Sequence, residues 1–223
     1  GTGFNRKRLQ NCIHKMEKKA KSNTPFTTED VAFVKRFYST ISIGGRMIII
    51  ARQSGRMMNH YLKKSGKDLK LHPRIFRRSN KVQKRMDRLK QKAKRNGCQK
   101  GQHLSSKRFP MAPIETHSIK DILLADSIFG LYPGRIHLET EPIKKGICRL
   151  HWRAELPWKW PTFDSLQKQG KEENFPLPNL KSILYKNKDY SIIVSNGLGG
   201  ELARIGEAKS FLAFAEWREK MAY

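Results

Sequence analysis

The sequence predicts an α+β protein, a strongly basic helical N-terminal half followed by a small antiparallel sheet with a C-terminal helix. Three observations predict it. Residues 1–110 hold 30 Lys and Arg against 5 Asp and Glu, whereas residues 111–223 hold 16 against 14. Apolar residues in the first half recur at intervals of three and four. Residues 135–141 and 146–156 in the second half alternate apolar and polar. The length of 223 residues suits one large domain or two small ones, and the charge shift places the division at 1–110 and 111–223.

The elements follow in order. Leu9, Ile13 and Met16 mark a thin apolar stripe on a basic helix over 4–21. Thr27 or Thr28 caps a second helix, with Glu29 and Asp30 in the first turn, where carboxylates suit the helix dipole. Val31, Val34, Phe37, Tyr38 and Ile41 continue it to a break at Gly44-Gly45. Met47, Ile50, Met57 and Tyr61 predict a third helix over 46–62. Residues 80–95 form a solvated helix whose narrow stripe is Val82, Met86, Leu89 and Ala93. Asn96-Gly97 stops it, and residues 97–114 read as a linker.

Beyond residue 116 a short helix is expected at 118–125, capped near His117 or Ser118. A β-hairpin spans 135–156, turning at 142–145. The proline-containing stretch 157–180 reads as a loop. An edge strand is expected near Leu184 or Tyr185, a strand at 189–195, and a turn at Asn196-Gly197-Leu198-Gly199-Gly200. Phe211, Leu212, Phe214, Ala215 and Trp217 predict a closing helix over 208–222.

A net charge of +27 exceeds what solubility requires and repels itself unless a polyanion answers it. Nucleic acid is the expected partner, RNA in particular, with an anionic membrane surface or an acidic protein as alternatives. Lys81, Lys84, Arg85, Arg88, Lys92 and Arg95 on the 80–95 helix are the expected nucleic-acid-binding residues, because Lys and Arg along a helix track phosphates without reading sequence. Arg46 to Tyr61, with its Met and Ile residues, is the segment that would lie on an anionic surface.

The hairpin sorts its residues by face. Cys148, Leu150, Trp152, Ala154 and Leu156 share one side of the second strand, and Arg149, His151, Arg153 and Glu155 the other. On the first strand His137, Glu139 and Glu141 oppose Ile136, Leu138 and Thr140. Pairing the apolar sides gathers imidazoles, carboxylates and guanidinia on one surface. His137, Glu139, His151, Arg153 and Glu155 are the candidate catalytic residues. A carboxylate or imidazole takes the 2′-hydroxyl proton of RNA, a second imidazole protonates the leaving oxygen, and arginine stabilises the phosphoryl charge. The same alternation also suits a solvated face of cross-strand ion pairs. In architecture, though not in any sequence motif, helices before such a sheet resemble small ribonucleases of the barnase type.

Other features carry less. Cys12, Cys98 and Cys148 form no CxxC pair and read as isolated thiols in a reducing compartment; no metal site and no cofactor is expected. His103 reads as a solvent histidine, with a catalytic loop histidine as the alternative, and His117 with Asp121 as a surface or capping pair. Trp152, Trp158 and Trp160 read as core or loop anchors, with base stacking as the alternative. The 196–200 stretch lacks the GxGxxG spacing and the Walker lysine of a phosphate cradle. No apolar run is long enough to span a bilayer. The opening Gly1-Thr2-Gly3 reads as an excision point or cloning scar, which predicts a fragment of a longer protein.

These readings converge on a metal-independent ribonuclease. By analogy of charge and fold, it would be the C-terminal effector domain of a bacterial antagonistic toxin, delivered from another cell to act in the cytoplasm and neutralised by an acidic immunity protein. The alternatives are a non-enzymatic RNA-binding or ribosome-associated protein, and a toxin or peripheral protein acting at the anionic cell envelope.

Overall fold

A computed structural model describes residues 5–47, 52–111, 133–170, 174–177 and 192–223. The expected helix at 118–125, the His117–Asp121 pair and the edge strand near Leu184 or Tyr185 lie outside the described residues. The chain is α+β and forms two compact units, Gly1–Thr40 with Trp160–Lys209, and Ile41–Lys159 with Ser210–Tyr223.

In the first unit, α1 (Arg6–Lys21) begins on Asn5, whose side chain accepts the Arg8 N–H at 3.0 Å. The second helix, α2 (Thr28–Met47), which belongs to this unit up to Thr40, begins on a reciprocal cap. Thr27 Oγ1 accepts from the Asp30 N–H at 3.1 Å, and Asp30 Oδ2 accepts from the Thr27 N–H at 3.0 Å. The backbone stays helical through Gly44-Gly45, correcting the predicted break. Glycine lowers helix propensity by about 1 kcal/mol but removes no hydrogen-bond donor. The predicted 157–180 loop is also corrected. It contains α6 (Phe163–Lys168), capped by Thr162, and β5 (Asn174–Leu177), which pairs antiparallel with β6 (Ile192–Ser195).

The 196–200 stretch is the opening of a helix, α7 (Asn196–Arg204), and not a turn. Its glycines serve packing. A Cβ on Gly199 would stand 2.4 Å from the Trp160 ring, and one on Gly200 2.1 Å from the Pro161 carbonyl oxygen. The Trp160–Phe163 segment occupies that space.

The second unit is built on a five-stranded sheet. Its helices are α3 (Arg52–Leu62), α4 (Pro73–Arg77) and α5 (Asn80–Arg95); its strands are β1 (Leu69–Lys70), β2 (Gln102–Ser105), β3 (Arg135–Lys144), β4 (Ile147–Trp158) and β7 (Phe211–Ala222). The strand order is β1-β7-β4-β3-β2, with β1 parallel to β7 and every other pair antiparallel. On the apolar side of the sheet α5 packs on β3 and β2 and α4 on β7, and Val82, Met86, Leu89 and Ala93 are buried as their spacing predicts. Glu219 ties helices to sheet on this side. It accepts the Trp152 indole N–H at 3.0 Å, and Lys90 Nζ lies 2.8 Å from the same carboxyl oxygen.

Two corrections here bear on the site. The closing helix predicted over 208–222 is a strand, and β7 pairs along its whole length with β4. Ala, Leu, Glu and Lys favour a helix locally, but Phe211, Ala213, Ala215 and Trp217 form a buried period-two set that only a strand satisfies. The predicted 97–114 linker contains β2. Positive φ at Gly97, Cys98 and Gly101 turns the chain back from α5 so that β2 pairs with β3. The expectation of isolated thiols fails for two of the three cysteines: Cys98 is bonded to Cys148, and Cys12 is free.

Candidate active site

Strand register decides which side chains meet on the sheet face turned away from α4 and α5. One row across the sheet runs His103 on β2, Glu139 on β3, His151 on β4 and Arg218 on β7. The next row runs Ser105, His137, Arg153 and Glu216. The five residues singled out from the sequence, His137, Glu139, His151, Arg153 and Glu155, line one depression of about 210 Å³ together with His103 and Glu216.

Sequence reasoning missed Ser105 and Glu216 and left His103 as a solvent histidine. The first and third sit on the strand read as a linker, and Glu216 on the strand read as a helix. The available signal was the alternation in 211–217, masked by a competing helical spacing.

The second row is mutually satisfied. Arg153 Nε donates to Glu155 Oε1 at 2.8 Å, and its Nη1 donates to Glu216 Oε1 at 2.8 Å. The guanidinium also lies 4.2 Å from the Phe214 ring centroid. Burial alone would raise the Glu155 carboxyl, but hydrogen bonds from Arg153 and His137 outweigh it and hold the group below its ordinary range. Burial alone would likewise lower Arg153, and bonds to Glu155 and Glu216 outweigh that, so its guanidinium is held charged.

An ionised Glu155 only accepts hydrogen bonds. His137 Nε2, 3.1 Å from Glu155 Oε2, therefore carries a proton. In the neutral imidazole the other nitrogen, Nδ1, then accepts from the Ser105 hydroxyl at 2.7 Å. Ser105 Oγ in turn lies 3.1 Å from His103 Nε2. The resulting chain, Glu155 to His137 to Ser105 to His103, fixes the tautomer and the plane of the His137 ring.

The first row differs. Among the described residues, Glu139, His151 and Arg218 make no side-chain hydrogen bond or ion pair. Directly opposed residues in an antiparallel pair hold their Cβ atoms about 5 Å apart. A carboxylate and an imidazole, neither engaged elsewhere, therefore stand on adjacent strands and line the same depression. With the imidazoles neutral, the depression holds three carboxylates against one guanidinium. Protonation of the three imidazoles reverses that sign.

The expected nucleic-acid-binding residues lie elsewhere. Lys84, Arg88, Lys92 and Arg95 are exposed, Lys81 and Arg85 half-buried, and Arg85 stacks 4.6 Å from the Phe109 ring centroid. Because α5 packs its stripe on the apolar side of the sheet, these cations and the depression occupy opposite layers of the unit. Trp152, Trp158 and Trp160 are buried, as core anchors are.

A larger concavity of about 430 Å³ lies in the first unit. Its charged groups pair locally, Glu201 with Arg204 and Asp164 with Lys168, and it contains no histidine. The smaller depression is the one that gathers imidazoles beside carboxylates. Among the described residues no group of three or more His, Cys, Asp or Glu is arranged to hold a metal ion, and no helix is long and apolar enough to cross a membrane. Comparison with protein-family models, curated proteins and solved structures finds no match to this chain.

Proposed function

We propose that this chain is a ribonuclease that cleaves by general acid–base catalysis with its own side chains. The observation that carries the reading is the Glu139–His151 pair, a free carboxylate and a free imidazole in register on adjacent strands. Glu139 takes the proton of a ribose 2′-hydroxyl, and the oxygen so released attacks the adjoining phosphorus. The bond from phosphorus to the 5′-oxygen breaks, and protonated His151 gives that oxygen its proton. The products are a 2′,3′-cyclic phosphate and a 5′-hydroxyl end. Proton exchange with water, or the reverse transfer during hydrolysis of the cyclic phosphate, resets both groups. DNA lacks the attacking hydroxyl and is not a substrate.

The His137–Glu155–Arg153 network supports this row. With both ring nitrogens engaged, His137 is a positioning residue in the resting site. Arg153, already bonded to two carboxylates, holds Glu155 and Glu216 in place and is not free to bind phosphate bidentately. The surrounding unit, with 30 Lys and Arg against 10 Asp and Glu, attracts a polyanion over a longer range.

The test is incubation of the protein with total RNA and with duplex DNA, in EDTA and in magnesium. RNA cut in EDTA, with DNA intact, supports the reading. RNA cut only in magnesium sinks it. RNA shifted but uncut favours a binding module, and neither effect, with sedimentation on anionic vesicles, favours an envelope role.

A further inference from the structure

We infer that a second depression on the same sheet face, lined by Lys100, Arg149 and Arg218, is a phosphate subsite that holds the backbone of single-stranded RNA beside the reacting row. The inference rests on the ribonuclease reading above and names where its substrate strand lies. The depression is about 260 Å³ and shares Glu139 and His151 with the catalytic one. A strand held in it therefore runs into the acid–base pair without leaving the sheet face.

The catalytic depression cannot attract phosphate through Arg153, whose charge two carboxylates already meet. The second depression has cations to spare. Among the described residues Lys100 and Arg218 have no ion-pair partner, and Arg149 has a single long one, Glu141 at 3.5 Å. Lys220, the register partner of Arg149 on β7, is exposed and adds a fourth positive charge beside them. Arg149 lies two residues from His151 along β4, about 7 Å at the rise of a strand. That separation places its guanidinium next to the acid–base pair and outside it.

The backbone that carries Lys100 and Arg149 is held in place. The Cys98–Cys148 bond joins the turn before β2 to β4, with Arg149 next in sequence and Lys100 two residues beyond Cys98. The Gly101 N–H donates to the Thr140 carbonyl at 3.0 Å, and Thr140 Oγ1 donates to the Gln99 carbonyl at 2.7 Å. A loop pinned at both ends loses little freedom when an anion arrives.

The test uses the whole chain and a short fluorescein-labelled oligodeoxythymidine, which carries the phosphates but no 2′-hydroxyl and so is bound without being cut. Anisotropy titrations across a salt series give the slope of log affinity against log salt. Each single-strand phosphate contact contributes about 0.7 to that slope. The variant Lys100→Gln/Arg149→Gln/Arg218→Gln is expected to lower the slope by about 2 and to weaken binding at low salt by tenfold or more. A slope unchanged within about half a unit overturns the subsite. If the triple variant melts early, Arg218→Gln alone changes one exposed side chain. Its slope should fall by about 0.7, and an unchanged slope again overturns the inference. RNA cleavage in EDTA is read separately. Cleavage with an unchanged slope removes the subsite alone, whereas uncut RNA with a lowered slope removes the ribonuclease reading and leaves a backbone-binding site.

Discussion

Glu139 and His151 are register partners on β3 and β4, and neither side chain is engaged, while the next pair along the same strands, His137 and Arg153, is bonded on every side. The contrast separates side chains left unengaged from side chains bonded into a network. Glu139→Gln and His151→Ala are each expected to lower RNA cleavage in EDTA by about 100-fold or more. Oligodeoxynucleotide affinity should stay within a few-fold and the melting temperature within a few degrees. Cleavage retained in both variants would remove this pair from the chemistry.

The Glu155 carboxyl gives the site a defined response to acid. Its pKa is held below the ordinary 4.5 by bonds that outweigh the opposing effect of burial. A carboxyl depressed in the folded state adds stability that is complete above its unfolded pKa and is lost as pH falls through the folded value. The wild type should therefore melt higher than Glu155→Gln near neutral pH, and the gap should close as pH falls below 4.5. Thermal melts of the two proteins from neutral pH downward measure it. A gap that stays constant with pH would mean that the variant loses packing and not a charged network.

The disulfide links the edge strand to the sheet interior, because Cys98 precedes β2 and Cys148 lies within β4. It closes a loop with a sequence separation of 50 residues, for which the chain-entropy account gives a stabilisation of about 4 kcal/mol. Reduction should lower the melting temperature. It should also free the turn that carries Lys100 and the strand that carries His103 and Ser105, so that cleavage falls before the rest of the sheet melts. Activity and hydrogen exchange of β2 amides, compared with and without reductant, read both effects. Equal exchange in the two states would show that β2 is held by its pairing with β3 alone.

The hairpin was the legible part of the site. In β4 the alternation from Cys148 to Leu156 is strict, and the five chosen residues meet in one depression because a period of two admits one assignment of faces. The turn expected at 142–145 is corrected: β3 runs on through Lys144 and the chain reverses at Lys145-Gly146. The stripe on α5 was equally plain, since Val82, Met86, Leu89 and Ala93 are the only apolar residues among its cations. What could not be read locally was set by distant partners. The segment Gln102–Ser105 is four residues long and polar at its ends, and becomes a strand only because β3 offers an edge. The Cys98–Cys148 bond depends on that same pairing. Phe211–Trp217 fits a helix and a strand alike, and the twelve-residue partner β4 decides between them.

Ala213 distinguishes those two conformations by experiment. The helical spacing builds its apolar face from Phe211, Leu212, Phe214, Ala215 and Trp217 and leaves Ala213 outside it. The strand buries Ala213 completely, opposite Leu156 on β4 and Leu69 on β1. A carboxylate there would be desolvated on the buried side of the sheet. Ala213→Asp should therefore destabilise the protein by about 4 kcal/mol or more, whereas an exposed helical position would tolerate it within about 0.5 kcal/mol. Denaturant unfolding of the variant gives the number. The neighbouring change Leu212→Asp falls on the open face and should cost less, an order that a closing helix would reverse.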